Sequence, residues 1–378
     1  MRLRDGVIAA IAACIMSACA SNAKVGTAAV IATASAKTIA VGSTAPAVIT
    51  SPSAAATSIV ATSIVVTTTA EISVPATEPS VAPAPKRVTI DDLVASPRPI
   101  VLAHAGGENQ HPHSTPYAFA ESAKAGVDML DFDVQLSKDG VLVVQHDDSV
   151  NRTTNGTGQI ADMTYDQLAA LDNAYWFTAD CTCTGQPAAA YTLRGMRTGD
   201  KPSLSGYRPD DFIIPRFVDI VEAYPDLPLN IEIKGSGESA VAAAQELANI
   251  LTVHDALDRA VVASFDDSIV QAFHAMAPSV EISPGLAAST AFILDGTPLP
   301  LNMRILQLPV EFQGIAVLTE ATISASHAAG YVIWVWPDNR ERWENQLGYD
   351  ELLRMGMDGL NINFPADGVA AVKRFVGG

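Results

Sequence analysis

The chain has 378 residues, enough for one large domain or two ordinary ones, and carries 23 basic against 41 acidic residues, a formal net charge of −18. That balance argues against a nucleic-acid partner or an anionic membrane surface, since both need basic protein surface. Five of the basic and three of the acidic residues precede Arg87. The acid is therefore concentrated beyond that point, and an anionic substrate has to be drawn in by a local feature such as a bound cation.

Arg2 and Arg4 followed by the apolar run 7–16 form an export signal too short to span a bilayer. It ends in Met16-Ser17-Ala18-Cys19, similar to the lipobox of bacterial lipoproteins. Residues 1–18 are thus expected to be a lipoprotein-type signal peptide. Cys19 is the expected lipidation site, anchoring an exported protein to the outer face of the bacterial cytoplasmic membrane. An ordinary cleaved, secreted form is the alternative. Residues 19–86 are Ala, Thr, Ser, Val and Pro with almost no charge. That composition supplies no packed core and reads as a tether, whose reach when extended is on the order of 200 Å. Membrane contact is expected through the anchor alone. Beyond the tether, Cys181 and Cys183 form a Cys-x-Cys pair that either closes a small disulfide or stays reduced.

From Arg87 onward the pattern alternates between strands and helices. Short apolar, β-rich runs at 100–103, 129–134, 141–144, 229–233, 260–263, 304–308, 332–336 and 359–362 read as strands. Helical periodicity is expected over 116–124, 165–171, 217–224, 238–252, 268–276, 320–329, 340–355 and 366–375. His104, Asp131, Asp133, Glu232, Lys234, Ser264, Trp336 and Asn363 all lie at or just past C-terminal strand ends. A (β/α)8 TIM barrel over 87–378 gathers those ends at one mouth, whereas a doubly wound sheet strings them along a crevice; the barrel is the expectation. Residues 181–211 interrupt the alternation as a long inserted loop. Tyr175, Trp176 and Phe177 before it either wall a pocket or cover the barrel exterior.

The chemistry is densest between 99 and 156. Asp131 and Asp133 alternate along one strand and face the same side, a costly pairing unless a cation sits between them. His104 and His146 each close an apolar run, giving two proton-transfer groups beside a candidate metal site. Singly, each of these residues has an ordinary structural explanation.

The stretch HAGG…STPYAFAESAKAGVDMLDFDVQLSKDGVLVVQHDDSVNRTT resembles the signature of glycerophosphodiester phosphodiesterases. The likeness continues through IPRFVDIVEAYPDLPLNIEIK, ASFDDS, GYVIWVWPDN and MGMDGLNINFP, covering about 99–375. The resemblance implies a TIM barrel of the phosphatidylinositol-phospholipase type that hydrolyses small glycerophosphodiesters to glycerol 3-phosphate and an alcohol with a divalent cation, Mg²⁺ or Ca²⁺. It implies His104 and His146 as the acid/base pair, Asp131, Asp133 and Glu232 as metal ligands, and Lys234 and Trp336 as substrate contacts. Three departures fall together. Ala105 stands where the family has arginine, Pro112-His113-Ser114-Thr115 where it has Pro-Glu-Asn-Thr, and Asp131 where it has glutamate. Glu108, His111 and His113 in the same loop are the candidates for compensating them. Two other readings stay open. One is phospholipase D-type hydrolysis of lysophospholipid or sphingomyelin headgroups; the other is a non-catalytic envelope-binding lipoprotein.

Overall fold

Apolar runs buried on both faces become the strands of a parallel barrel. The computed structural model describes residues 87–179 and 181–378; the signal, Cys19 and the tether lie outside the described residues. In chain order the strands are β1 (Ile100–Ala103), β2 (Met129–Leu136), β3 (Leu142–Val144), β4 (Leu229–Ile233), β5 (Ala260–Ala263) and β6 (Glu281–Ile282). They continue as β7 (Ile305–Leu308), β8 (Glu311–Phe312), β9 (Ile315–Ala316), β10 (Val332–Val335) and β11 (Gly359–Ile362). The hydrogen-bonded order β6-β5-β4-β2-β1-β11-β10-β7 is parallel throughout and keeps sequence neighbours adjacent, as a (β/α)8 barrel requires. Its ends, β6 and β7, are joined by side chains. Ser283 Oγ donates to the Ile305 carbonyl at 3.2 Å, and the Arg304 guanidinium Nε donates to Glu281 at 2.9 Å.

Two expectations change. Residues 142–144 form no barrel strand; they pair antiparallel with the end of β2, Val134 opposite Val144 and Leu136 opposite Leu142. β2 continues past the barrel, and its apolar partner is buried under helix Phe217–Ala223 and the 150–168 loop rather than in the wall. The remaining wall strand is the two-residue β6, too short to show a period. The helix expected over 340–355 is two helices, Arg340–Trp343 and Gln346–Met355. The chain is extended at Asn345 (φ −156°), whose side chain accepts from the Gly348 amide and starts the second helix.

The barrel floor is plugged. Ile90 and Leu93 of the helix Ile90–Val94 pack with Ile100, Met129, Val261, Ile305 and Trp334. Gly359 makes room for the buried Trp334 indole: a Cβ there would stand 2.6 Å from Trp334 Cδ1. With the floor closed among the described residues, the cavity lies at the C-terminal mouth.

Residues 181–211 pack away from that mouth. Leu193, Met196 and Phe212 bury themselves with Ala174 and Phe177. The Arg194 guanidinium lies 4.2, 4.6 and 3.7 Å from the ring centres of Tyr175, Trp176 and Tyr191. These aromatics cover the exterior, and Cys181 is bonded to Cys183.

Candidate active site

A cavity of about 610 Å³ fills the mouth, lined by His104, Glu108, Asp131, Asp133, His146, Glu232 and Lys234. Phe265, Leu286, Ile293, Phe312, Val317 and Trp336 add apolar surface to the lining, interspersed with Ser283, Ser289 and Thr290.

His104 is placed by a tight turn. Ala105, Gly106 and Gly107 all have positive φ (47°, 78° and 84°), bringing the chain back over β1. A Cβ at Gly106 would stand 2.8 Å from that of Ala118, and one at Gly107 would meet the Pro365 ring at 2.7 Å, so only glycine fits both the φ and the space. His104 Nδ1 lies 2.6 Å from Asn363 Oδ1, the residue just past β11. Since an amide oxygen only accepts, Nδ1 carries the proton of this bond and the ring's orientation is fixed. Burial disfavours the imidazolium, but the carboxylates of Glu108, Asp131 and Asp133 outweigh it and raise the His104 pKa to about 9.

Asp131 and Asp133 share a face of β2, as the alternation predicts, but their surroundings differ. Asp131 Oδ1 accepts from Asn230 Nδ2 at 2.5 Å and Asn361 Nδ2 at 3.1 Å. Asn230 in turn exchanges two hydrogen bonds with Gln307. This amide belt across β4, β7 and β11 draws the short carboxylate inward, and burial raises its pKa. Asp133 sits nearer the opening. Lys234 Nζ lies 2.8 Å from Asp133 Oδ1 and 2.8 Å from Glu232 Oε1, bridging the two acids. Burial pushes both acids upward; Lys234 and the imidazoles hold Asp133 low, whereas repulsion from Asp133 leaves Glu232 raised.

His146 comes from the turn after β3, not from the end of a wall strand. Its Nδ1 is 2.8 Å from Asp147 Oδ1. Asp147 is gripped by Arg152 Nε and Nη2 at 2.7 and 2.9 Å. Gln135 Nε2 donates to the carbonyls of Gln145 and Asp147 and pins the turn.

Of the three loop residues proposed to compensate, Glu108 reaches the cavity. Its carboxylate lies 3.8 Å from His104 Nδ1, 3.7 Å from His113 Nε2 and 3.9 Å from Arg152 Nη1. His113 is 1% exposed beneath it, and burial lowers its pKa to about 4, so its ring is neutral. His111 stands edge-on to Tyr117 at 5.7 Å and does not line the cavity. Trp336 does, facing Phe265 edge-on at 6.3 Å. Sequence reasoning gave no role to the Asp147–Arg152 pair, the amide belt, Glu344 or Arg340, although Glu344 and Arg340 also line the mouth. Only the Asp147–Arg152 pair lies close enough in sequence to have been found there.

Among the described residues no three His, Cys, Asp or Glu side chains already converge on one point. The donor set still fits a hard divalent cation. The groups are carboxylates, Asp133 Oδ2 and Asn361 Oδ1 are buried without a hydrogen-bond partner, and the Lys234 ammonium already stands as a cation between Asp133 and Glu232.

The profile of the Glycerophosphoryl diester phosphodiesterase family matches residues 104–367. A glycerophosphodiester phosphodiesterase of Bacillus altitudinis is 26% identical over 270 residues, spanning 70% of this chain and 94% of its own. Among solved structures, a glycerophosphodiester phosphodiesterase of Agrobacterium tumefaciens superposes with a TM-score of 0.52 at 22% identity, over 72% of this chain and 99% of that one. An Oleispira antarctica phosphodiesterase, solved with the product sn-glycerol-3-phosphate, gives 0.56 at 20% identity, over 74% and 99%. These two superpositions bear on the fold alone.

Proposed function

The chain belongs to the glycerophosphoryl diester phosphodiesterase family, and on that premise we propose that it hydrolyses glycerophosphodiesters to glycerol 3-phosphate and an alcohol, using His104 and His146 for proton transfer. The observation that carries this reading is the paired anchoring of the two imidazoles. His104 is tied to Asn363 and His146 to Asp147, each through Nδ1, at the mouth of one cavity. Binding alone needs no such pair.

His104, held in its protonated form, donates to the leaving alkoxide oxygen. His146 accepts a proton from the attacking water as its oxygen bonds to phosphorus and the P–O bond to the leaving alcohol breaks, with Asp147 fixing its tautomer and steadying the charge it gains. Lys234 offers positive charge to the phosphoryl oxygens. Arg340 on the rim supplies the guanidinium that Ala105 lacks. Asp131, Asp133 and Glu232 would hold Mg²⁺ or Ca²⁺, which neutralises charge developing on the phosphoryl group when bound. The protein acts outside the cytoplasmic membrane, anchored through Cys19.

A second reading, a substrate with a lysophospholipid or sphingomyelin-like apolar part, is favoured by one feature. Phe265, Leu286, Ile293, Phe312, Val317 and Trp336 line the cavity together with the charged groups, and residues 181–211 do not line it.

The test is release of glycerol 3-phosphate from a glycerophosphodiester. His104→Ala and His146→Ala are each expected to lower kcat by at least ~100-fold, and the double variant to be little worse, since groups acting in one step are non-additive. Near-normal turnover in either single variant would remove that residue from the mechanism.

A further inference from the structure

We infer that Glu344 is a positioning residue for His104, acting through Asn363; the inference rests on the proposed role of His104. Glu344 lies between helices Arg340–Trp343 and Gln346–Met355 and is 7% exposed. Its carboxylate oxygens accept the Asn363 backbone N–H at 3.1 and 3.2 Å and the hydroxyl of the fully buried Tyr349. Asn363 Oδ1 is the atom that meets His104 Nδ1 at 2.6 Å. One chain of contacts therefore runs from Tyr349 through Glu344 and the Asn363 backbone to the ring.

The place in the fold explains why an extra anchor is needed. β11 ends at Ile362, the partner of Ala103, so Asn363 is the first residue the sheet no longer holds. Its N–H has left the ladder, and the neighbouring turn at Ala105–Gly107 is itself in left-handed backbone. Two loops thus meet at a 2.6 Å contact with no strand pairing to fix either. The Glu344 carboxylate takes the freed N–H and sets the height of Asn363 above the barrel. Burial pushes its own pKa up to about 7, outweighing the hydrogen bonds from Tyr349 and Asn363 and the attraction of His104. A residue kept only for packing would not need a buried carboxyl here. One that grips a backbone amide and a phenol from two elements does.

The mechanism predicts a split in kinetic constants. Positioning of the ring matters in the transition state, whereas diester binding depends on Lys234, Arg340 and the cavity walls. In the full-length protein, Glu344→Ala is expected to lower kcat about 10- to 100-fold with KM changed less than about 3-fold. Glu344→Gln, which keeps an oxygen acceptor, is expected to recover most of that loss. In an Asn363→Ala background, Glu344→Ala should add less than about 2-fold, because the link it acts through is gone. Multiplicative losses in the double variant, or a loss confined to KM, would overturn the inference. An activity-independent readout separates this from failure of the functional reading: the imidazole ¹⁵N spectrum of His104. Loss of the hydrogen-bonded Nδ1–H signature in Glu344→Ala, with recovery in Glu344→Gln, supports the positioning role even without turnover. An unchanged spectrum in Glu344→Ala refutes it.

Discussion

Removing Lys234 tests the charge arrangement of the mouth most severely. Its ammonium, 13% exposed, bridges Asp133 at 5% and Glu232 at 24% exposure, each at 2.8 Å. Lys234→Met keeps the aliphatic stem and leaves two carboxylates facing each other with nothing between them. Breaking a buried ion pair from one side typically costs 3–5 kcal/mol. Glu232, already pushed up by burial and by Asp133, relieves part of this by taking a proton. The lower end, roughly 3 kcal/mol at pH 8, is therefore expected, with a smaller loss at pH 5, because a raised Glu232 takes up a proton more readily as pH falls. That loss corresponds to a drop in Tm of roughly 5 °C or more. The place vacated is also where a divalent cation would go. At a concentration 100 times its Kd, Mg²⁺ or Ca²⁺ should return about 2.7 kcal/mol, and the gain should exceed that of the unaltered protein, in which Lys234 competes. Thermal unfolding at pH 5 and pH 8, with and without cation, measures all four states. A Tm within 1 °C of the parent that ignores added cation would refute both the bridge and the cation site.

Other consequences follow from the same geometry. Asp147→Asn removes the acceptor that fixes His146, and at least ~10-fold loss of kcat with the fold intact is expected in steady-state kinetics. Arg340→Ala should raise KM for an anionic diester about 10-fold while leaving kcat close to the parent, because the guanidinium stands on the rim. Glu344, raised from 4.5 to about 7, is protonated in the native state where the unfolded chain is already ionised. Its stabilisation is full below pH 4.5 and is lost as pH rises through 7, removing roughly 2–3 kcal/mol between pH 5 and pH 8. Glu344→Gln should flatten that part of the pH–stability curve measured by chemical denaturation.

Much of the fold was legible because its determinants are local. β1, β4, β5 and β11 begin and end where apolar, β-branched runs meet Gly, Pro or polar residues, and a chain with polar groups at so many strand ends favours a barrel. What was not legible depends on distant partners. Residues 142–144 are as apolar as any wall strand, and only the surface available to cover them makes them a hairpin. Helix Leu286–Asp295 escaped notice because its N-terminal amides are capped by Asp267, from another helix, at 2.9 and 3.3 Å, so no cap motif marks its start. The same holds at the site. Asp131 and Asp133 declare their common face by alternation, but nothing local says that Asn230 and Asn361 hold one and Lys234 the other. His111 and His113 look equivalent two residues apart. The positive-φ turn at Ser114 (φ 53°) buries His113 under Glu108 while His111 goes out against Tyr117.

The measurement closest to the central claim is hydrolysis of glycerophosphocholine by the purified protein, followed as glycerol 3-phosphate before and after chelation and after Mg²⁺ or Ca²⁺ is returned. Turnover that falls at least ~10-fold on chelation, returns with one of the two cations, and is absent from the His104→Ala/His146→Ala protein is the expected result. Turnover unchanged by chelation would contradict the cation site at Asp131, Asp133 and Glu232. Turnover that survives in the double-histidine variant would contradict the account of the chemistry itself.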